Sequence, residues 1–91
     1  MAEQVGFQVM DTISGSSLKL IQTAIPKLAG AGLSLDGYRV TVVMQDGRPG
    51  VLFEDENKRR GQYGSAPGQK PDFEVRFSED GSHVVSAHFS R

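Results

Sequence analysis

The chain has 91 residues, 37% of them hydrophobic and 23% charged, with a net charge of −1 and no cysteine. That length supports one domain with one core and excludes a deep cleft between subdomains. The near-neutral balance gives no field for nucleic acid or a membrane surface, and the missing cysteines exclude disulfides and thiolate metal sites.

Residues 1–10 lack the cationic and apolar regions of a signal peptide. No apolar run approaches the ~20 residues that span a bilayer. The expected location is the cytoplasm, with no membrane contact. Val5, Phe7 and Val9 alternate with Gly6, Gln8 and Met10. A short first strand fits this stretch, and so do one or two turns of helix. Asp11, Ser14 and Ser16 then offer themselves as N-caps.

A helix is predicted from about Ser16 to Ala29. Leu18, Leu20, Ile21, Ala24, Ile25, Leu28 and Ala29 fall on one arc of it, and Lys19, Gln22, Thr23 and Lys27 on the other. Pro26 lands on the polar side, where water satisfies the carbonyl it frees. A bent helix and two short helices joined at Ile25 both fit, and the bend is preferred. Gly30 and Gly32 provide the stop.

Period-two alternation follows. Tyr38, Val40, Val42 and Met44 form one series; Val51 and Phe53 the next; then Phe73, Val75 and Phe77; then Val85, Ala87 and Phe89. This predicts an α+β fold, with one amphipathic helix on an antiparallel meander of four strands and a fifth short N-terminal strand as an option. The expected core sets Phe73, Val75, Phe77, Val85 and Phe89 against Leu18, Ile21, Ile25 and Leu28. A two-residue turn at Asp46-Gly47 pairs Val42 with Val51 and Val40 with Phe53. A four-residue loop ending at Pro49 keeps the same faces together. For the last hairpin, a three-residue loop, Glu79-Asp80-Gly81, pairs Val75 with Val85 and Phe73 with Ala87, with Gly81 left-handed.

Between the hairpins, residues 55–71 hold three glycines, two prolines, six charges and one aromatic. Loops this long are uncommon in compact domains unless functional or disordered, so a mobile loop within a single 1–91 domain is expected. Lys58, Arg59, Arg60 and Tyr63 are its candidate partner-binding residues. Arginine grips carboxylates and phosphates, and a tyrosine fills a pocket or stacks on a base. The acidic Glu54-Asp55-Glu56 run largely cancels their field. Val43, Leu52 and Val84 are apolar where the alternation places the solvent face, which suggests self-association as a homodimer.

No catalytic pattern stands out. His83 and His88 have opposite parity on one strand and cannot chelate one metal. None of the nine serines sits in a Gly-x-Ser-x-Gly elbow. The carboxylate runs read as solvated strand ends and turns. No catalytic residue, metal ligand or cofactor is expected, and the chain reads as a non-enzyme.

The order of helix, Gly32-Leu33-Ser34-Leu35-Asp36-Gly37-Tyr38, Val51-Leu52-Phe53, Phe73-Glu74-Val75 with Phe77, Asp80-Gly81 and Val84-Val85 resembles small bacterial cystatin-like domains. It is most similar to the immunity-type modules of the nuclear-transport-factor fold and to PepSY-like modules. The resemblance covers Ser16 to Arg91 and rests on order, with no diagnostic motif. It implies non-enzymatic inhibition, neutralisation or chaperoning of a protein partner. It carries over no functional residue, and the loop at residues 55–71 departs from it. A nucleic-acid-associated module using the Lys58–Tyr63 segment with Arg39 and Arg76 is the alternative.

Overall fold

A computed structural model describes residues 6, 8–59 and 67–89. Helix α1 (Gly15–Gly30) precedes β1 (Tyr38–Gln45), β2 (Arg48–Asp55), β3 (Phe73–Phe77) and β4 (Val84–Phe89). The strands form one antiparallel sheet in the order β1-β2-β3-β4, with α1 packed on β1, β2 and β3. The expected helix-on-meander α+β fold is present. Gln8 to Met10 belong to no strand or helix, and Val5 and Phe7 lie outside the described residues.

Local chemistry sets the ends of α1. The Ser14 hydroxyl accepts the Ser17 N–H at 3.1 Å and satisfies one of the orphan donors of the first turn. The helix then runs unbroken through Pro26, whose ring faces solvent, so the two-helix alternative is set aside. It ends in a Schellman arrangement. The Leu33 N–H reaches the Leu28 carbonyl at 3.2 Å and the Gly32 N–H reaches Ala29 at 3.0 Å. Gly32 supplies the left-handed residue, at φ +83°. Gly30 stays inside the helix.

The first hairpin takes the two-residue turn. Asp46 and Gly47 both have positive φ, 54° and 75°, as a type I′ turn requires. Val42 pairs with Val51 and Val40 with Phe53. Pro49 pairs with Met44 in β1, and the β2–β3 ladder begins one residue later, at Gly50↔Arg76. That ladder therefore never needs the donor proline lacks.

The last hairpin differs from expectation by two residues. Val75 pairs with Ala87 and Phe73 with Phe89. One residue of slip comes from Ser82, which joins the loop, because the Ser78 N–H donates to the His83 carbonyl at 2.9 Å. The other comes from Val85, which bulges out between the Arg76↔Ser86 and Phe77↔Val84 pairs. Gly81 is left-handed as expected, at φ +75°. Asp80 explains the longer loop. Its Oδ1 accepts the Ser82 hydroxyl at 2.7 Å, the Ser82 N–H at 3.0 Å and the Ser78 hydroxyl at 2.8 Å. These donors hold its carboxyl down at about 2, with the Ser82 hydroxyl contributing most.

The core consists of Ala24, Leu28, Tyr38, Val51, Phe53, Phe73, Val75 and Phe77. Leu20, Ile21, Ile25, Val40, Val42 and Val84 pack around it, partly buried. Three expected core residues are exposed instead: Leu18 at 43%, Val85 at 58% and Phe89 at 53%. The helix covers three strands and leaves β4 beyond its footprint, so correct parity on β4 does not bring burial. The Phe89 ring makes an edge-to-face approach to Phe73 at 5.4 Å. The bulge also corrects Val84. It packs against the core beside Phe77 and cannot share a solvent patch with Val43 and Leu52.

Candidate functional site

No element among the described residues covers the second face of the sheet. Its side chains stand in rows across the strands. Val43, Gly50, Arg76 and Ser86 form one row; Thr41, Leu52, Glu74 and His88 the next; Arg39 and Glu54 a third. Every second residue of each strand faces the same way, and this gives the rows.

Gly50 is the opening in the first row. A Cβ there would lie 3.3 Å from Arg76 Cδ, Arg76 Nη1 and Val43 Cγ2. Without it, Arg76 lies flat across β2. Its Nε meets Glu74 Oε2 at 3.0 Å and its Nη2 donates to Gln45 Oε1 at 2.6 Å. One side chain thus ties β3 to β1 over the glycine. His88 Nε2 stands 3.6 Å from Glu74 Oε1.

At the other end the ladder runs Arg39–Glu54–Lys58–Asp72. Arg39 Nη2 meets Glu54 Oε1 at 3.3 Å, and its Nη1 donates to the Lys58 carbonyl at 3.0 Å. Lys58 Nζ sits 3.2 Å from Glu54 Oε2 and 2.5 Å from Asp72 Oδ2. Lys58 and Asp72 are only 7% and 3% exposed. Burial opposes the lysine's charge, but hydrogen bonds and charge from Asp72 and Glu54 outweigh it and hold the ammonium above its ordinary range.

This ladder joins the two ends of the long connection. Asp55 accepts the Asn57 N–H and the Lys70 N–H, each at 2.8 Å. These bonds, the Lys70 one foremost, lower its pKa. The Tyr38 hydroxyl donates to the Pro71 carbonyl at 2.5 Å. Desolvation, then the charges of Asp72 and Asp55, raise the phenol's pKa. Lys70 Nζ lies 4.8 Å from the centre of the Tyr38 ring and donates to the Ser34 carbonyl at 3.3 Å. Gln69 reaches the Asn57 carbonyl at 3.2 Å. The described ends of the 55–71 segment are therefore fixed to the sheet and to each other.

The structure sorts the candidate residues accordingly. Lys58 is an anchor within the stem, and its ammonium is spent on two carboxylates. Arg59 follows it on the surface. Arg60 and Tyr63 lie outside the described residues. Val43 and Leu52 share the open face in adjacent rows, whereas Val84 is on the core side. Sequence reasoning missed Asp72, Glu74 and the crossing of Arg76. A glycine in mid-strand opposite an arginine was the available signal.

Between the two ion-pair ends lies a groove of about 460 Å³, lined by Val43, Met44, Gln45, Leu52, Glu54, Lys58, Asp72 and Glu74. Within its lining Asp72 Oδ1 is buried and accepts no hydrogen bond among the described residues. A wider hollow of about 920 Å³ opens elsewhere, between the first half of α1 and the hairpin ends. Asp80 there is already committed to its own turn, and the groove is the better candidate site. No family model, curated protein or solved structure matches the chain.

Proposed function

We propose that this chain is a small non-enzymatic binding or regulatory domain that acts through a protein partner, as an inhibitor, immunity or adaptor module does. The observation that carries this reading is the open face of the sheet. It combines an apolar floor, Val43 and Leu52, with charged side chains already held in place by one another. Such a surface loses little side-chain entropy when a partner covers it. The helix-on-meander order is also that of the cystatin-like modules the sequence resembles, which supports a binding role by analogy alone.

The nucleic-acid reading has less support. Arg39, Lys58 and Arg76 are each paired with a carboxylate, which reduces what they offer to phosphates.

A photo-crosslinking residue placed at Leu52 is expected to trap one discrete protein in the cells that make the domain. The same residue at Lys19, on the exposed side of α1, is expected to trap none. Equal labelling from both positions, or none from Leu52, would contradict the proposal.

A further inference from the structure

We infer that the free edge of β4 pairs with β4 of a second copy, antiparallel about a two-fold axis through His88. The two sheets then run on as one. This pairing uses a different surface from the open face and is independent of the binding role proposed above.

The backbone singles out a strand as the occupant. Bonded and non-bonded pairs alternate along an antiparallel ladder. The two-residue turn makes Gln45↔Arg48 a bonded pair, and the register carried across the sheet makes Arg76↔Ser86 and Glu74↔His88 bonded pairs too. The bond from the Ser78 N–H to the His83 carbonyl agrees with this count. Ala87 and Phe89 therefore turn their N–H and C=O groups away from β3, to an edge that no strand covers among the described residues. Their side chains stand on the same face as α1 but beyond its footprint, and both are exposed. Edge strands are ordinarily guarded by charges, prolines or bulges. On β4 the bulge at Val85 guards only the start, and Ser86 to Phe89 hold no lysine, arginine, aspartate, glutamate or proline. On β1, the other edge, Val40 and Val42 pack against the core instead.

A second copy is selected by the fit of this stretch to itself. With His88 on the axis, Ala87 of each copy faces Phe89 of the other, and each such pair exchanges both backbone bonds. A large ring then crosses a small side chain, an arrangement that an isologous contact repeats on both sides. Each His88 at the axis has Glu74 of its own chain beside it, at 3.6 Å. Centring on Ser86 would set Val84, on the core side, opposite His88, on the open face. Centring on Ala87 would set Phe89 opposite the bulged Val85. The His88 register keeps the faces together on regular backbone. Its axis is perpendicular to the sheet, so both open faces lie on one side of the dimer.

Sedimentation equilibrium of the intact protein from about 10 μM to about 1 mM covers the range of a small, weak interface. The mass is expected to rise from monomer towards dimer. Over the same range the amide signals of Ala87 and Phe89 are expected to shift, and those of Val40 and Val42 to stay in place. Ala87→Pro removes an N–H that the β3 ladder does not use, so the fold is expected to persist while dimerisation weakens by about tenfold or more. Phe89→Lys is the second variant, and it decides the matter if the proline variant fails to fold. It sets a charge at each end of the pairing and is expected to leave a monomer at about 1 mM. Leu52→Lys, on the open face, is expected to leave the dimer intact. A monomer throughout the range would overturn the inference. So would a dimer that Leu52→Lys disperses, one that survives Phe89→Lys, or shifts confined to Val40 and Val42.

Discussion

Replacing Phe77 with alanine is expected to destabilise the domain by about 3–5 kcal/mol, read from the midpoint and slope of a urea titration. Phe77 is fully buried at the inner end of β3 and pairs with Val84 at the bulge. Close-packed neighbours relax only partly into the space a ring leaves, so a cavity cost adds to the lost transfer energy. Phe89→Ala is the paired comparison. Its ring is 53% exposed and β4 lies outside the helix footprint, so its loss is expected to be well under half as large. A loss below about 1 kcal/mol at Phe77, or equal losses at both rings, would contradict the packing described.

Lys58→Met carries the second large effect, an expected loss of about 3 kcal/mol or more. Methionine keeps the length of the stem and removes the ammonium. Asp72 is then left buried without its counter-ion, and Glu54 keeps only Arg39. The cost comes from the uncompensated carboxylate, so the double variant Lys58→Met with Asp72→Leu is expected to recover most of it. A single variant as stable as the parent would mean that the lysine is solvated after all. It would then return to the surface role the sequence suggests.

These two residues mark where the chain is legible from sequence and where it is not. Parity placed Phe77 correctly because alternation is local and the helix has one broad apolar arc. The Asp46-Gly47 turn is one of two loops that face agreement allows, and the positive φ of both residues selects it over the four-residue loop ending at Pro49. The final hairpin was not legible. Face agreement is unchanged by a slip of two residues, so period-two reasoning cannot separate the three-residue loop from the longer one. The Ser78, Asp80 and Ser82 side chains decide it by closing their own hydrogen bonds. Alternation carries no information about how far a helix reaches across a sheet, so Phe89 reads as core, and none about a bulge, which is what turns Val85 out. Lys58 was misplaced for a different reason. Its partner Asp72 lies 14 positions away, across a segment that composition describes only as polar. The open-face groove is a product of such long-range pairs, with Val43, Met44 and Leu52 the components of its lining that alternation singles out.

Among the described residues one face of this sheet is covered by α1 and the other is open for contact. A soluble gadolinium chelate tests it directly through paramagnetic relaxation of the valine and leucine methyl groups. Fast relaxation is expected at Val43 and Leu52 on the open face, and slow relaxation at Val51 and Val75, which are fully buried beneath α1. Methyl groups of Val43 and Leu52 as protected as those of Val51 and Val75 would contradict it.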